Sequence, residues 1–179
     1  MSIDPQADGV GDLRLGLPRA GTESTGNPIR VLVICWGNSA RSIMAEALIR
    51  HHGGADFEVN SAGIEPKGVN PLTIRVLDDA GLEHPWARSR SIDEYVDQSF
   101  DYVITVCDEA RQVCPVFPGD KQTVLHWGYE DPAKVDGTEE QRLAAFQRTL
   151  TMMGTRIAQF IPLARREREQ QLVSDAAGA

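Results

Sequence analysis

Within eight positions the stretch Cys35-Trp36-Gly37-Asn38-Ser39-Ala40-Arg41-Ser42 brings together a thiol, a run of small and polar residues, and a guanidinium. An apolar run, Val31 to Ile34, precedes it, and Ile43-Met44-Ala45-Glu46-Ala47-Leu48-Ile49, a good helix former, follows. A thiol ahead of a polar loop and a helix start describes a cradle for an oxyanion with a nucleophile in its floor. Backbone N–H groups of such a loop converge on one point, and the helix N-terminus adds positive potential there. Gly37 and Asn38 tolerate the left-handed backbone angles that turn N–H groups inward. Ser42 can donate a hydrogen bond to the thiolate, and Arg41 offers a planar fork that matches two oxygens of a phosphate-like group. Cys35 is therefore the expected nucleophile and Arg41 its catalytic partner, with Trp36, Gly37, Asn38, Ser39, Ala40 and Ser42 expected to bind the substrate. The competing reading is a buried structural cysteine at the end of a core strand, with a surface arginine nearby.

Two further thiols, Cys107 and Cys114, lie seven positions apart across Asp108-Glu109-Ala110-Arg111-Gln112-Val113. If that segment is helical, two turns separate their Cα atoms by about 10.5 Å, beyond the roughly 7 Å that a disulfide allows. A bond between them requires the segment to unwind, which makes the pair a candidate redox-driven switch; the alternative is two unrelated thiols. Pro115 biases Cys114 away from helical angles and so marks a weak end. Asp131-Pro132 follows the turn-rich His126-Trp127-Gly128-Tyr129-Glu130. A protonated Asp131 on such a loop could donate to a leaving oxygen, although Asp before Pro is also an ordinary turn signal. His126 and Trp127 read as packing and hydrogen-bonding residues. No His, Cys and carboxylate cluster has zinc spacing, so no catalytic metal is expected.

The elements that must position these groups follow from periodicity. The chain has 179 residues, enough for one compact domain with ragged ends. Residues 1–28 are glycine-rich with scattered charges and no periodicity, which reads as a disordered extension. From Arg30 onward strands and helices alternate: a strand into Cys35, a helix from Ala40 to about His52, a strand at Phe57 to Ser61, and a helix from Asn70-Pro71 to near Gly81. Ser91 can cap a short helix through Val96. A strand from Asp101 to Cys107 and another at Thr123 to Leu125 come next. The last helix is expected from about Thr138 to Leu163, with Leu143, Phe146, Leu150, Met153, Ile157 and Phe160 on one face. A domain over 29–163 and a charged, partly disordered tail over 164–179 result, in which the charged stretch Arg165 to Gln171 can extend the helix into solvent before the Ala/Gly end frays. Strand alternating with helix signals a parallel sheet. Ligands of such sheets bind beyond the carboxyl ends of strands, which is where Cys35 and Cys107 both fall.

A net charge of −8 argues against nucleic acid or an anionic membrane as partner. No apolar run approaches the roughly 20 residues of a bilayer span, and the N-terminus lacks the basic and apolar regions of a signal peptide. A cytoplasmic location is expected, where the three cysteines would be mostly reduced.

Taken together, the Cys35 to Ser42 loop, Asn60-Ser61-Ala62-Gly63-Ile64-Glu65, Gly68-Val69-Asn70-Pro71, Cys107 with Cys114, and His126-Trp127-Gly128 with Asp131-Pro132-Ala133 resemble one family. The chain is similar, from about Arg30 to Phe160, to thioredoxin-coupled arsenate reductases of the low-molecular-weight protein tyrosine phosphatase superfamily. The resemblance implies an α/β three-layer sandwich, with a four-stranded parallel sheet flanked by helices. It implies arsenate as substrate, with phosphate and sulfate as competing anions, and thioredoxin as external reductant with no bound cofactor. Cys35 would attack arsenic, Arg41 and the loop would hold the oxygens, and Asp131 would protonate the departing oxygen. Cys107 and then Cys114 would resolve the adduct through successive disulfides.

The chain departs from the family at several points. Ala40 stands where many relatives have a second loop cysteine, and Trp36 is a bulky neighbour for the nucleophile. Some relatives bind potassium through an Asn and a Ser at positions like Asn38 and Ser61, with oxygen ligands from a segment near Arg90-Ser91-Ile92. The Arg and Ile in that segment count against such a site. The alternative function is a phosphatase acting through a cysteinyl phosphate, for which the same loop and aspartate suffice. Relatives with that activity follow the Asp-Pro with aromatic residues, where this chain has Ala133 and Lys134, and they do not need the Cys107 and Cys114 pair. Weak phosphatase side activity is expected in either case. A thiol sensor that binds trivalent arsenic would need neither Arg41 nor Asp131.

Overall fold

The computed structural model describes residues 27–178. The expected disordered extension therefore lies almost wholly outside the described residues. Four strands form one parallel sheet in the order β2-β1-β3-β4, with β1 at Ile29–Cys35, β2 at Phe57–Gly63, β3 at Tyr102–Thr105 and β4 at Thr123–His126. Val31, Leu32, Val33 and Ile34 are fully buried, the continuous apolar composition of a strand covered on both faces. The α/β class with a four-stranded parallel sheet is as the sequence indicated. Register pairs Cys35 with Gly63 on one side and Ile34 with Thr105 on the other. The chain leaves β1 toward β2 and later returns to β3 on the opposite flank. The ends of β1 and β3 therefore bound the crevice where the strand order reverses.

Helix α1, Arg41–Gly53, is buried along almost its whole length, including Glu46. Its weak amphipathicity follows from that, because it is covered on all sides. Helix α2 spans Pro71–Asp79, with the Asn70 side chain accepting from the Leu72 N–H and Pro71 at the first helical position. Ser91 caps only a single 3-10 turn, Ile92–Glu94, in a reciprocal capping box. The strand expected to end on Cys107 stops at Thr105, and Cys107 instead stands at the N-cap of α3, Asp108–Val113.

The last helix, α4, continues past Leu163 through the charged stretch Arg165 to Gln171, as that stretch allowed, and beyond it. It runs over Glu139–Ala177 with Pro162 inside it, so the boundary expected at 163/164 falls in mid-helix. The charged residues there are anchors: Arg165 bonds the Asp56 carboxylate at 2.8 Å and the Gly53 carbonyl at 2.9 Å, and Arg168 pairs with Asp101 at 2.6 Å. The Tyr102 hydroxyl donates to Glu167. Pro162 is on the exposed side, where its missing N–H leaves a carbonyl that water can satisfy. Phe160 lies among Phe57, Tyr102 and Trp127 at ring separations of 6.2, 5.1 and 5.4 Å. It thus joins α4 to both β2 and β3. Phe160→Ala is expected to cost about 3–5 kcal/mol, read as a lower denaturant midpoint at unchanged m-value.

Candidate active site

Cys35 closes β1, and the chain then turns through residues 36–40 into α1. Cys35, Trp36, Gly37, Ser39, Ala40 and Arg41 line a cleft of about 440 Å³ that also takes in Lys67, Glu109, Asp131, Ala133 and Lys134. The first N–H groups of α1 have no intrahelical partner, and Ala40 offers no side-chain cap. They are free for an anion. Asn38 has φ 41°, the left-handed region expected of it, and its backbone N–H donates to Cys35 Sγ at 3.1 Å. Ser42 Oγ lies 2.9 Å from the same sulfur.

The loop is held from behind. Asn38 Nδ2 donates to Ser42 Oγ and to Ser61 Oγ, both at 2.9 Å, and Asn38 Oδ1 accepts from the Arg90 backbone N–H at 2.7 Å. Gly63 makes this approach possible, since a Cβ there would lie 2.7 Å from Asn38 N and 2.9 Å from Gly37 C. Trp36 and Gly37 are tied to the following segment through Glu65 N–H to Trp36 O and Lys67 N–H to Gly37 O, each at 2.9 Å. The Trp36 indole donates to Glu65 at 3.1 Å, which fixes its ring at the mouth of the cleft.

Arg41 is 7% exposed. Its guanidinium donates to Asp131 Oδ2 at 2.8 Å and to the Tyr129 carbonyl at 3.0 Å. Asp131 Oδ1 accepts from the Ala133 N–H at 3.1 Å. Asp131 therefore caps the 3-10 turn Pro132–Lys134 and faces the anion loop with the same carboxyl. The turn reading of that residue is met, and its carboxyl stands beside Arg41 at the cleft. His126 bridges Thr105 and Asp108 at 2.9 Å each, and Trp127 is buried, the packing roles expected of them.

Cys107 is buried beyond the end of β3, the strand beside β1. Burial pushes its thiol up, while the backbone N–H of Ala110, the Arg41 charge and the Trp36 N–H act in the opposite direction; a Cys35 thiolate adds to the rise. The second thiol thus sits within electrostatic reach of the first, 72 positions away in sequence. Cys114, at the other end of α3, is half-buried, and burial raises it too. All three cysteines are free. The structure accordingly keeps Cys107 and Cys114 at opposite ends of a short helix, as the spacing suggested.

Glu46 of this site was not singled out from the sequence, and Arg90 figured there only as counting against a potassium site. Glu46 is fully buried on α1, where Ser61 Oγ donates to it at 2.6 Å and the Arg50 and Arg90 guanidinium groups pair with it at 2.9 and 3.2 Å. A lone carboxylate in the middle of Ile43 to Ile49 was the available signal. Arg90 is 7% exposed in its side chain. At the position where some relatives bind potassium, Asn38 and Ser61 have their polar atoms engaged, and Arg90 supplies a fixed positive charge. The residues present do not fit a second cation there.

The fold and the loop define an α/β protein with a buried cysteine at the floor of a polar loop, a helix N-terminus above it and an arginine beside it. The model of the low molecular weight phosphotyrosine protein phosphatase family matches residues 30–172, and the chain belongs to that family. Among curated relatives, the arsenate reductase of Halalkalibacterium halodurans is 41% identical over 130 residues, 73% of this chain and 93% of its own length. Among solved structures, the arsenate reductase of Archaeoglobus fulgidus aligns with TM-score 0.59 and 33% identity, covering 74% of this chain and 98% of that one. A thioredoxin-dependent arsenate reductase of Corynebacterium glutamicum aligns with TM-score 0.62 and 26% identity, covering 80% of this chain and 65% of that one. Gly63→Ala is expected to displace the loop and weaken phosphate binding about tenfold or more, measured by calorimetric titration, with the far-ultraviolet circular dichroism unchanged.

Proposed function

We propose that this protein reduces arsenate to arsenite by a relay of three thiols, recharged by thioredoxin. The observation that carries the reading is a second buried thiol, Cys107, set beside the end of β1 by the Val106 N–H that donates to the Ile34 carbonyl at 2.9 Å, and joined by α3 to a third. Hydrolysis of a phosphate ester needs only the first. The arsenate reductase names of the curated relatives support the substrate, and the thioredoxin-dependent neighbour supports the reductant.

In this reading the Cys35 thiolate attacks arsenic, and one oxygen departs as water with a proton from Asp131. The substrate draws the Arg41 fork onto its own oxygens, which releases the Asp131 carboxyl for that transfer. Loop N–H groups hold the remaining oxygens. The Cys107 thiolate then attacks Cys35 Sγ, the sulfur–arsenic electron pair stays on arsenic, and arsenite leaves. Two thiols have lost two electrons and arsenic has gained them. Cys114 next attacks Cys107 and frees Cys35. Formation of the Cys107 to Cys114 disulfide requires α3 to unwind, which brings that bond to the surface for thioredoxin. The electrons come from thiols throughout, so the reading calls for no bound cofactor. Among the described residues no helix is long and apolar enough to cross a membrane, in keeping with the cytoplasmic location proposed here.

The same cradle and acid serve phosphoryl transfer, so a phosphatase is the second reading, favoured by the family match itself. Against it stand Ala133 and the Lys134 that pairs with Glu109 at 3.7 Å, where an aryl ring would need an apolar wall. The deciding experiment is arsenate-dependent NADPH oxidation with thioredoxin and its reductase. Wild type should turn over, while Cys35→Ser, Cys107→Ser and Cys114→Ser should each abolish multiple turnover. Hydrolysis of an aryl phosphate that needs Cys35 alone, with no arsenate reduction, would make the protein a phosphatase. Asp131→Asn should lower kcat by about 10²–10⁴-fold. Because burial raises the Cys107 thiol, turnover should climb with pH from neutral into the alkaline range.

A further inference from the structure

Five charged side chains line the cleft beside Cys35, with Arg41, Lys67 and Lys134 as cations and Glu109 and Asp131 as anions. Four of them are matched in pairs, Arg41 with Asp131 at 2.8 Å and Lys134 with Glu109 at 3.7 Å. Among the described residues Lys67 alone of the five has no ion-pair partner. The acid nearest to it in sequence, Glu65, accepts instead from the Trp36 indole at 3.1 Å.

Lys67 is nevertheless built against the anion loop. Its backbone N–H donates to the Gly37 carbonyl at 2.9 Å, and its stem runs over the same residue, where a Cβ on Gly37 would lie 3.3 Å from Lys67 Cδ. The methylenes thus rest on the loop while the ammonium, on an exposed side chain, remains open to water. A hydrated charge in that place acts through its field and not through a fixed hydrogen bond. With Cys35 as a thiolate and both pairs closed, Lys67 is the one charge that answers the sulfur. Without it the cleft is net negative, and an oxyanion with two negative charges meets twice the repulsion of a singly charged one.

We propose that Lys67 is the capture residue of this site, the unpaired charge that recruits small, doubly charged oxyanions from solution to the loop. The inference deepens the proposed function and rests on its anion site with Cys35 as nucleophile, though on neither arsenate nor thioredoxin. In the proposed reaction Arg41 takes hold only once the anion has displaced Asp131, so the first attraction falls to Lys67.

The test compares alkylation of Cys35 by iodoacetate, an anion, with alkylation by iodoacetamide, its neutral counterpart, read from the mass of the Cys35 peptide in the full chain. Lys67→Met removes the charge and keeps most of the stem. Any change in the thiolate fraction affects both reagents alike, so the ratio of the two rates reports attraction alone. At about 10 mM salt, where the screening length is about 30 Å, the iodoacetate to iodoacetamide ratio should fall about five- to tenfold in Lys67→Met and stay near wild type in Lys67→Arg. At about 1 M salt, with a screening length of about 3 Å, the difference between wild type and Lys67→Met should vanish. The Kd for inorganic phosphate, taken by calorimetry at the lower salt, should rise about as much. A rate ratio unmoved in Lys67→Met, whether or not both rates fall together, would overturn the proposal, and so would a drop that persists at high salt. A lowered, salt-sensitive ratio in a protein that reduces no arsenate would uphold Lys67 and sink the reaction proposed above, so the two can fail apart.

Discussion

Everything in this molecule depends on holding a loop of unpaired N–H donors open around a sulfur. Such donors repel one another and tend to find partners by collapsing. The loop between Cys35 and Arg41 resists because it is fixed on three sides. Register places Gly63 against it with no side chain, Asn38 takes a left-handed backbone angle and reaches backward to Ser61 and Arg90, and α1 begins at once with its own free N–H groups. The sheet supplies the rigidity: β1 is central and buried, and the loop starts at its last residue.

The charge around this loop is balanced in two layers. In front, Arg41 is paired with Asp131, two groups that the proposed reaction would separate. Behind, Glu46 is paired with Arg90 and Arg50, groups that nothing in the reaction separates. The front pair is exchangeable because it opens on the cleft. The rear pair is permanent because taking either partner away strands a charge in the core. A protein of net charge −8 thus concentrates positive potential at one point, while its remaining surface repels anionic polymers.

Helix α3 contrasts with this rigidity. It has six residues, of which only Ala110 is buried. Helices of that length have little stability of their own. Its ends carry Cys107 and Cys114, and its low cost of unwinding is the property the proposed relay uses. The 39-residue α4, by comparison, is pinned to β2 and β3 by Phe160 and to the body by Arg165 and Arg168.

The parallel sheet, the order of its elements, the loop and the positions of Cys107, Cys114 and Asp131 were all legible in the sequence. Each rests on local patterning: apolar runs for buried strands, an Asn-Pro start for α2, and residue types whose spacing is itself the signal. The docking of the end of α4 was not legible, because a charged stretch reads as a helix extended into solvent unless its partners are known, and Asp56, Asp101 and Tyr102 come from elsewhere in the chain. Nor was the rear network. Glu46, Ser61 and Arg90 are separated by 15 and 44 positions from Glu46, and only the packing of α1 against β2 and the segment after α2 brings them together. The sequence alone determined which groups can do the chemistry, since that is a matter of residue type. Tertiary structure decided which of them are buried, what each is hydrogen-bonded to and which share the cleft, because those depend on distances between residues far apart in the chain.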